Sequence, residues 1–276
     1  KSDFDASGSF EAVETIISAE ASGTIQQLNV EEGQNLTADS IVGYVDSVQL
    51  FLKKKQLLTQ ISALLSKKPD VSVQLAALQE QLKAAIREQT RVSNLVKAEA
   101  ATTKQLDDVN SNVDIIKSQI EALKSSLDIS TEGINKDATP LQVQVEQLND
   151  QLGKCKIVNP INGTVLTKYA EVGEMTAPGK ALYKIADLST IILRVYITGN
   201  QLPQVKLNQN VKVLTDNGKG EFKETEGTIT WISDKAEFTP KTIPTKAQRA
   251  NLVYASKVNV KNDGTYKIGM YGEIKF

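Results

Sequence analysis

The sequence predicts an α+β chain in which a small β-module is cut in two by a long antiparallel helical hairpin and followed by further strands. Three observations carry this. A short motif occurs twice: Gly23-Thr24-Ile25 with Gly33 ten residues after its first glycine, and Gly163-Thr164-Val165 with Gly173 at the same interval. The copies lie 140 residues apart, and the same offset pairs Val42 with Leu182 and Val45 with Ile185. The stretch between the copies has helical periodicity and contains almost no glycine. After the second copy the pattern is β to the end of the chain.

Composition narrows the function. At 276 residues the chain is long enough for one large domain or two to three small ones. A net charge of −1 gives no excess of Lys or Arg that would point to nucleic acid. There is no histidine, the commonest general base and metal ligand. The single cysteine, Cys155, supports neither an internal disulfide nor a Cys-based zinc site. No apolar run approaches the roughly 18 residues of a membrane span. The chain opens on Lys1 in a polar stretch, which suggests a removed or uncloned leader or anchor, or simple trimming.

Residues 10–46 read as short strands, with Ile16, Ile25, Leu28, Val30, Ile41 and Val45 separated by Gly, Asn and Asp. At about Ser47 the character changes. From there to Lys156 only Gly133 and Gly153 occur, and Gln, Lys, Leu, Ala and Glu dominate. Leu75, Leu78, Leu82, Ala85, Val92 and Val96 follow a 3,4 spacing if Gln89 fills one position. Leu106, Val109, Val113, Ile116, Ile120, Leu123 and Leu127 follow it without a gap. That period is the seam of a coiled coil. The two seams predict a hairpin with its tip at 97–103 and Thr102 or Thr103 as N-cap of the second helix.

Two joints are expected. Pro69 should break the ascending helix, and the stretch from Ser130 to Pro140 should break the descending one, so the joints fall near 66–73 and 130–140. The seam resumes outside them with Leu57, Ile61 and Leu64, and with Leu141, Val145, Leu148 and Leu152. Beyond Lys156 the strand candidates are 191–197, 205–214, 227–232, 252–260 and 271–276. Asn217-Gly218 and Asn262-Asp263-Gly264 read as hairpin turns, and 238–249 as a loop. Frequent turns between short strands suggest a small barrel or sandwich.

Two similar half-units can pack about a pseudo-twofold axis, each burying a sheet that could not stand alone. The insert then requires Asp46-Ser47 and Lys156-Ile157 to lie close together, a condition an antiparallel hairpin meets because its ends are adjacent.

On these residues the chain resembles the periplasmic adaptors, or membrane fusion proteins, of efflux and type I secretion systems. The resemblance runs through Ser18-Ala19-Glu20-Ala21-Ser22-Gly23-Thr24-Ile25 to Gly33, through Ile157-Val158-Asn159-Pro160-Ile161-Asn162-Gly163-Thr164-Val165 to Gly173-Glu174-Met175, and through Pro178 to Ser189. Ile268-Gly269-Met270-Tyr271-Gly272 resembles the family's closing signature. The resemblance implies a lipoyl-like (biotinyl-like) β-sandwich at 16–46 plus 157–187. It further implies an α-helical coiled-coil hairpin at 47–156 and a small β-barrel at 1–15 plus 188–276. It implies a periplasmic location with an inner-membrane anchor, an inner-membrane transporter and an outer-membrane channel as partners, self-association as a hexamer, and no enzyme activity, cofactor or metal. A fourth, membrane-proximal domain is not expected, and the short form looks more like adaptors of ABC-type transporters.

The family's tip resembles an Arg, a Leu four residues on and a Ser seven residues after that. Arg91, Leu95 and Thr102 stand at those spacings. The resemblance assigns them to channel docking; the plainer reading makes Leu95 a cap on the coiled-coil core and Arg91 a surface charge. Carrier proteins of the lipoyl type bear a modified lysine where the halves join. Here Lys53, Lys54 and Lys55 fall on a helix and read as a solvated face. Gly218-Lys219-Gly220 lacks the spacing of a phosphate loop. Trp231 reads as barrel core and Cys155 as a buried thiol. Rival readings are a carrier module, which predicts a covalent mass addition, and a coiled-coil scaffold, which predicts export indifferent to Arg91 and Leu95. A hydrolase lacks both histidine and a nucleophile motif.

Overall fold

The computed structural model describes residues 4–216, 218, 221–238 and 252–276. Two compact units result: the residues up to Asp46 together with those from Lys154 onward, and Ser47–Gly153. In order the elements are β1 (Ala6–Glu11), β2 (Glu14–Ser18), β3 (Gly23–Leu28), β4 (Asn35–Leu36), β5 (Ser40–Val45), α1 (Val48–Leu65), α2 (Val71–Lys97) and α3 (Thr103–Lys154). Then follow β6 (Lys156–Asn159), β7 (Gly163–Lys168), β8 (Met175–Thr176), β9 (Ala181–Ala186), β10 (Thr190–Thr198), β11 (Asn210–Asp216), β12 (Phe222–Ile232), β13 (Glu237–Phe238), β14 (Leu252–Lys261) and β15 (Tyr271–Lys275).

The repeat folds as one lipoyl-like sandwich of two four-stranded sheets, β2-β9-β7-β4 and β6-β5-β3-β8. Each sheet takes two strands from each half. The halves trade backbone hydrogen bonds at matched positions. Gly33 N donates to Val165 O at 2.8 Å, and Gly173 N to Ile25 O at 2.9 Å. Ile25 N donates to Glu174 O and Val165 N to Gln34 O, both at 2.9 Å. Asn35 and Leu36 pair with Thr164 and Gly163, as Met175 and Thr176 pair with Thr24 and Gly23. Every one of these contacts is reproduced by the offset between the two motif copies, so the pseudo-twofold extends to individual bonds.

The motif glycines have separate physical reasons. Gly33 and Gly173 take φ of 85° and 92°, the left-handed region in which a side chain is strained. Gly163 lies against the neighbouring strand, and a Cβ there would come within 2.6 Å of the Ala186 carbonyl oxygen. At Gly23 the Cβ would meet Val45 Cγ1 at 3.0 Å and Asp46 O at 3.2 Å. The core between the sheets is formed by alternate residues of both halves, among them Ile25, Val30, Val45, Val165, Leu182 and Ile185. One polar pair is buried with them. Tyr183 donates from Oη to Asn159 Oδ1 at 3.0 Å, and Asn159 Nδ2 donates to the carbonyls of Thr37 and Ile161. Burial pushes the Tyr183 phenol up to about 12.

The remaining strands make a six-stranded barrel in the order β10-β1-β15-β11-β12-β14, closed by the antiparallel pairing of β14 with β10. Two-residue β13 lies on the edge of β14. The interior is Phe10, Ile191, Leu193, Val195, Ile197, Val213, Ile229, Val258, Val260 and Ile274, with Phe10 stacked on Tyr266. Three expectations change here. Trp231 is 40% exposed rather than core, because a register shift between Ile229 and Trp231 turns it outward, with the Lys257 ammonium over its ring. Asn262-Asp263-Gly264 does form a turn, with Gly264 at φ 94°, but β14 and β15 are not neighbours in the sheet, so it is no hairpin. The strand expected at 205–214 begins only at Asn210, after a 3-10 turn at Leu202–Gln204. Asn217, Lys219, Gly220 and the stretch from Thr239 to Arg249 lie outside the described residues.

In the helical unit the ascending side is interrupted at residues 66–70, where Asp70 caps α2 by accepting from Val73 N at 3.2 Å. The interruption expected at 130–140 is not there. α3 runs unbroken for 52 residues with Pro140 inside it. A proline in a helix interior costs about 3 kcal/mol. The helix persists, although Ser, Thr, Gly, Asn and Asp crowd residues 130–139, because its stripe is buried on both sides of the proline, at Leu127, Ala138 and Leu148. Pro69 differs because the residue after it, Asp70, can restart the helix as a cap.

Replacing Gly163 with Ala is expected to cost about 1–3 kcal/mol through its clash with the β9 backbone. Replacing Gly173 with Ala should cost about 1–2 kcal/mol through its left-handed φ. Gly199→Ala, with nothing within 4 Å, should stay within about 0.5 kcal/mol. Denaturant midpoints of the three variants check the ranking.

Candidate docking site at the hairpin tip

The two seams meet between α2 and α3. Ala85, Val113 and Ile116 are buried together, with Leu82 and Ile120 packed against them. Gln89 occupies a seam position, and its Nε2 donates to Asn110 Oδ1 at 2.8 Å across the hairpin. A polar pair in an apolar seam fixes which residues of the two helices stand level.

The tip is closed by two complementary caps. At the end of α2, Ala100 N donates to Leu95 O at 2.8 Å and Glu99 N to Val96 O at 3.0 Å, the two crossed bonds of a Schellman motif. Its left-handed position is Glu99, at φ 59°, where a glycine is usual. At the start of α3, Thr102 and Gln105 make a capping box. Gln105 N donates to Thr102 Oγ1 at 3.3 Å, and Thr102 N donates to Gln105 Oε1 at 2.9 Å.

The three residues singled out by spacing are placed differently from one another. Arg91 is on the outer side of α2 and binds Glu88 through both Nε and Nη2, at 2.9 and 2.5 Å. That hydrogen bonding lowers the Glu88 carboxyl and raises the Arg91 guanidinium. Leu95 is half-buried one turn on, and its carbonyl is held by the Schellman bond. Thr102 is exposed, but its hydroxyl is occupied in the capping box. No hydrogen bond joins Arg91 or Leu95 to Thr102 among the described residues. Sequence reasoning missed Glu99, Gln105 and the Gln89–Asn110 pair. The Thr-x-x-Gln spacing at 102–105 was a usable signal for the second of these; a left-handed glutamate leaves none.

The other lysines and the thiol are readily placed. Lys53 and Lys55 are exposed on α1 and Lys54 is half-buried. Cys155 is buried, its carbonyl accepts from Val45 N at 2.8 Å, and burial raises its thiol. Among the described residues no cluster of His, Cys, Asp and Glu is arranged to hold a metal ion. No helix of the described chain is long and apolar enough to cross a membrane.

No family model matches this chain. The membrane protein YbhG of Salmonella gallinarum is 26% identical over 292 residues, covering 94% of this chain and 84% of that protein. Among solved structures, MacA from Actinobacillus actinomycetemcomitans covers 98% of the chain, with 76% of MacA matched, at a TM-score of 0.58 and 20% identity. The periplasmic adaptor protein EmrA matches with a TM-score of 0.51 at 14% identity, over 98% of this chain and 97% of EmrA. The membrane fusion protein Spr0693 from Streptococcus pneumoniae R6 matches at 0.53 and 13% identity, over 98% and 96%. The chain therefore has the membrane fusion protein fold: a split lipoyl-like module, an inserted helical hairpin and a β-barrel.

Two opposite shifts in hairpin stability are expected. Thr102→Ala should lower it by about 1 kcal/mol, and Glu99→Gly should raise it by up to about 1 kcal/mol by relieving the left-handed side chain. Helical circular dichroism during thermal unfolding measures both.

Proposed function

We propose that this chain is the periplasmic adaptor of a tripartite export machine, joining an inner-membrane transporter to an outer-membrane channel. The observation that carries the reading is the layout itself. A long antiparallel helical arm with a doubly capped tip is inserted into a β-module at the point where its two halves pair. That layout extends over nearly the whole chain in its likeness to adaptors of known structure. The role is mechanical: coupling and sealing a conduit, with no bond made or broken. The reading places the chain in the periplasm, held at the inner membrane, with copies associating into a ring of six and the tip meeting the channel. An ABC-type transporter is the class the sequence resemblance favours. Within this reading Arg91 and Leu95 meet the channel, while Thr102 serves by holding the tip in shape.

The carrier-module rival has a specific obstacle. The junction between the half-motifs leads into α1, and the nearest lysines lie on that helix rather than on a tight turn.

The test is made in the bacterium that encodes the chain. Deleting the gene should raise accumulation of a fluorescent dye or sensitivity to a panel of toxic compounds, and the intact gene should restore the original level. Leu95→Asp and Arg91→Glu should each fail to restore it at equal protein abundance, with helical content unchanged. Full restoration by both variants would remove the tip from the mechanism. A deletion without effect on any compound would remove the adaptor reading.

A further inference from the structure

We infer that Glu273 makes the seam between β11 and β15 of the barrel proton-sensitive: the seam holds while the carboxyl group is protonated and loosens once it is ionised. The inference goes beyond the adaptor reading and does not rest on it.

The first observation is the seam. β15 joins β1 to β11 and so completes the ring of strands. Its pairing with β11 is the shortest in the barrel. Lys212, Val213 and Leu214 stand against Lys275, Ile274 and Glu273, whereas β10 and β14 pair all the way from Thr190 to Thr198. With so few backbone partners, side chains decide how firmly the seam holds.

The second observation is the place of Glu273 in it. Ala6, Val213 and Ile274 belong to the barrel core, so their neighbours Ser7, Leu214 and Glu273 point to the outer wall. These three stand in line across β1, β11 and β15. All three are buried nonetheless, Glu273 at only 8% exposure. Tyr271 hydrogen-bonds its carboxyl group, and Oε2 has no partner among the described residues.

The third observation is that neighbouring charges are engaged elsewhere. On the same outer wall β11 presents Lys212 and Asp216, β15 presents Lys275, and β10, beyond β1, presents Arg194 and Tyr196. Lys212 pairs with Glu224 at 3.1 Å and Arg194 with Glu237 at 3.7 Å, while Lys275 is exposed. On the side of β1, Asp5 accepts from Phe276 N at 2.9 Å and Glu11 pairs with Lys257 at 3.4 Å. Asp216 accepts from Gly218 N at 2.7 Å. Among the described residues no cation forms an ion pair with Glu273.

An ionised carboxylate in this position gives up water for one hydrogen bond; the neutral acid gives up far less. Burial accordingly raises the Glu273 carboxyl, and the Tyr271 hydrogen bond opposes it less strongly. A carboxyl group with a higher pKa in the folded chain than in the unfolded one binds its proton more tightly when folded. The stability it contributes is complete below the unfolded value and is lost as pH rises through the folded one. Asp263 in the same barrel works in the opposite sense, held down by Thr265 and Lys223. A wild-type pH profile mixes the two, so the test must be a difference.

The full chain is compared with Glu273→Gln, which keeps the shape of the side chain but cannot ionise, and with Glu273→Ala, which removes both oxygens. Trp231, the only tryptophan, lies on β12 and reports barrel unfolding by its fluorescence. Denaturant midpoints are taken from pH 4 to pH 8. Both variants should gain on the wild type as pH rises, whatever their standing at pH 4. Hydrogen exchange locates the effect, with the proteins compared at equal pH. At pH 8 the amides of 211–215 and 271–275 should exchange at least about threefold more slowly in Glu273→Gln than in the wild type. Those of β3 and β7 should be unchanged. The carboxyl carbon resonance that either substitution removes should titrate above those of exposed glutamates. The inference is overturned if the gap between wild type and both variants is constant with pH, or if it shrinks as pH rises. It is equally overturned if exchange slows alike in β3 and β7, or if the Glu273 resonance titrates with the exposed glutamates.

Discussion

The structure depends on the backbone hydrogen bonds that two half-units exchange across 140 residues of chain. Neither half has a complete sheet. β4 of the first half pairs with β7 of the second, and β8 of the second pairs with β3 of the first. A two- or three-stranded fragment with one apolar face is marginal in water. Interlocking gives each sheet four strands and buries both apolar faces against each other. The loop-closure cost of bringing such distant segments together grows only slowly with the length of the insert. A large helical unit can therefore interrupt the module without forbidding it.

From that constraint the rest follows. β5 and β6 pair from Ser40 with Asn159 to Tyr44 with Lys156, so the last strand before the insert and the first strand after it are neighbours. The bond from Val45 N to Cys155 O closes the pair at the point where the chain leaves and returns. An antiparallel hairpin needs two adjacent roots, and the module supplies them. Within the hairpin a Gln–Asn pair in the seam fixes register, and two caps fix the turn. The arm is thus specified at its root, in its middle and at its tip by directional hydrogen bonds, while the apolar stripe supplies most of the burial.

The fold class was legible because each of its signals has a backbone cause. Gly33 and Gly173 mark left-handed turns, and Gly23 and Gly163 mark close strand approaches, so the repeated motif records geometry rather than composition. The seam was legible because helical period and coiled-coil period coincide with burial at Leu75, Ala85, Val92, Val113, Ile116 and Leu127. What escaped were places where tertiary structure overrides local preference. Pro140 is carried inside α3 by packing on either side, whereas the helix is interrupted at Pro69, so two prolines of the same hairpin have opposite consequences. Trp231 was turned out of the barrel by one extra residue in a strand, which no alternation pattern shows. At the tip, Thr102 was recognisable as a cap from its neighbours. Arg91 and Leu95 were singled out only through family resemblance, and what the structure shows of them is an ion pair with Glu88 and a half-buried leucine.

The most direct measurement of the central claim is native-state hydrogen exchange at the amides that cross between the halves, those of Ile25, Gly33, Val165 and Gly173. If the halves stabilise one another, all four exchange with the same free energy, equal to that of global unfolding of the module, and they respond together to denaturant. If the amides of one half were protected while those of the other exchanged at low cost, the halves would be independent, and the module could not be what fixes the roots of the arm.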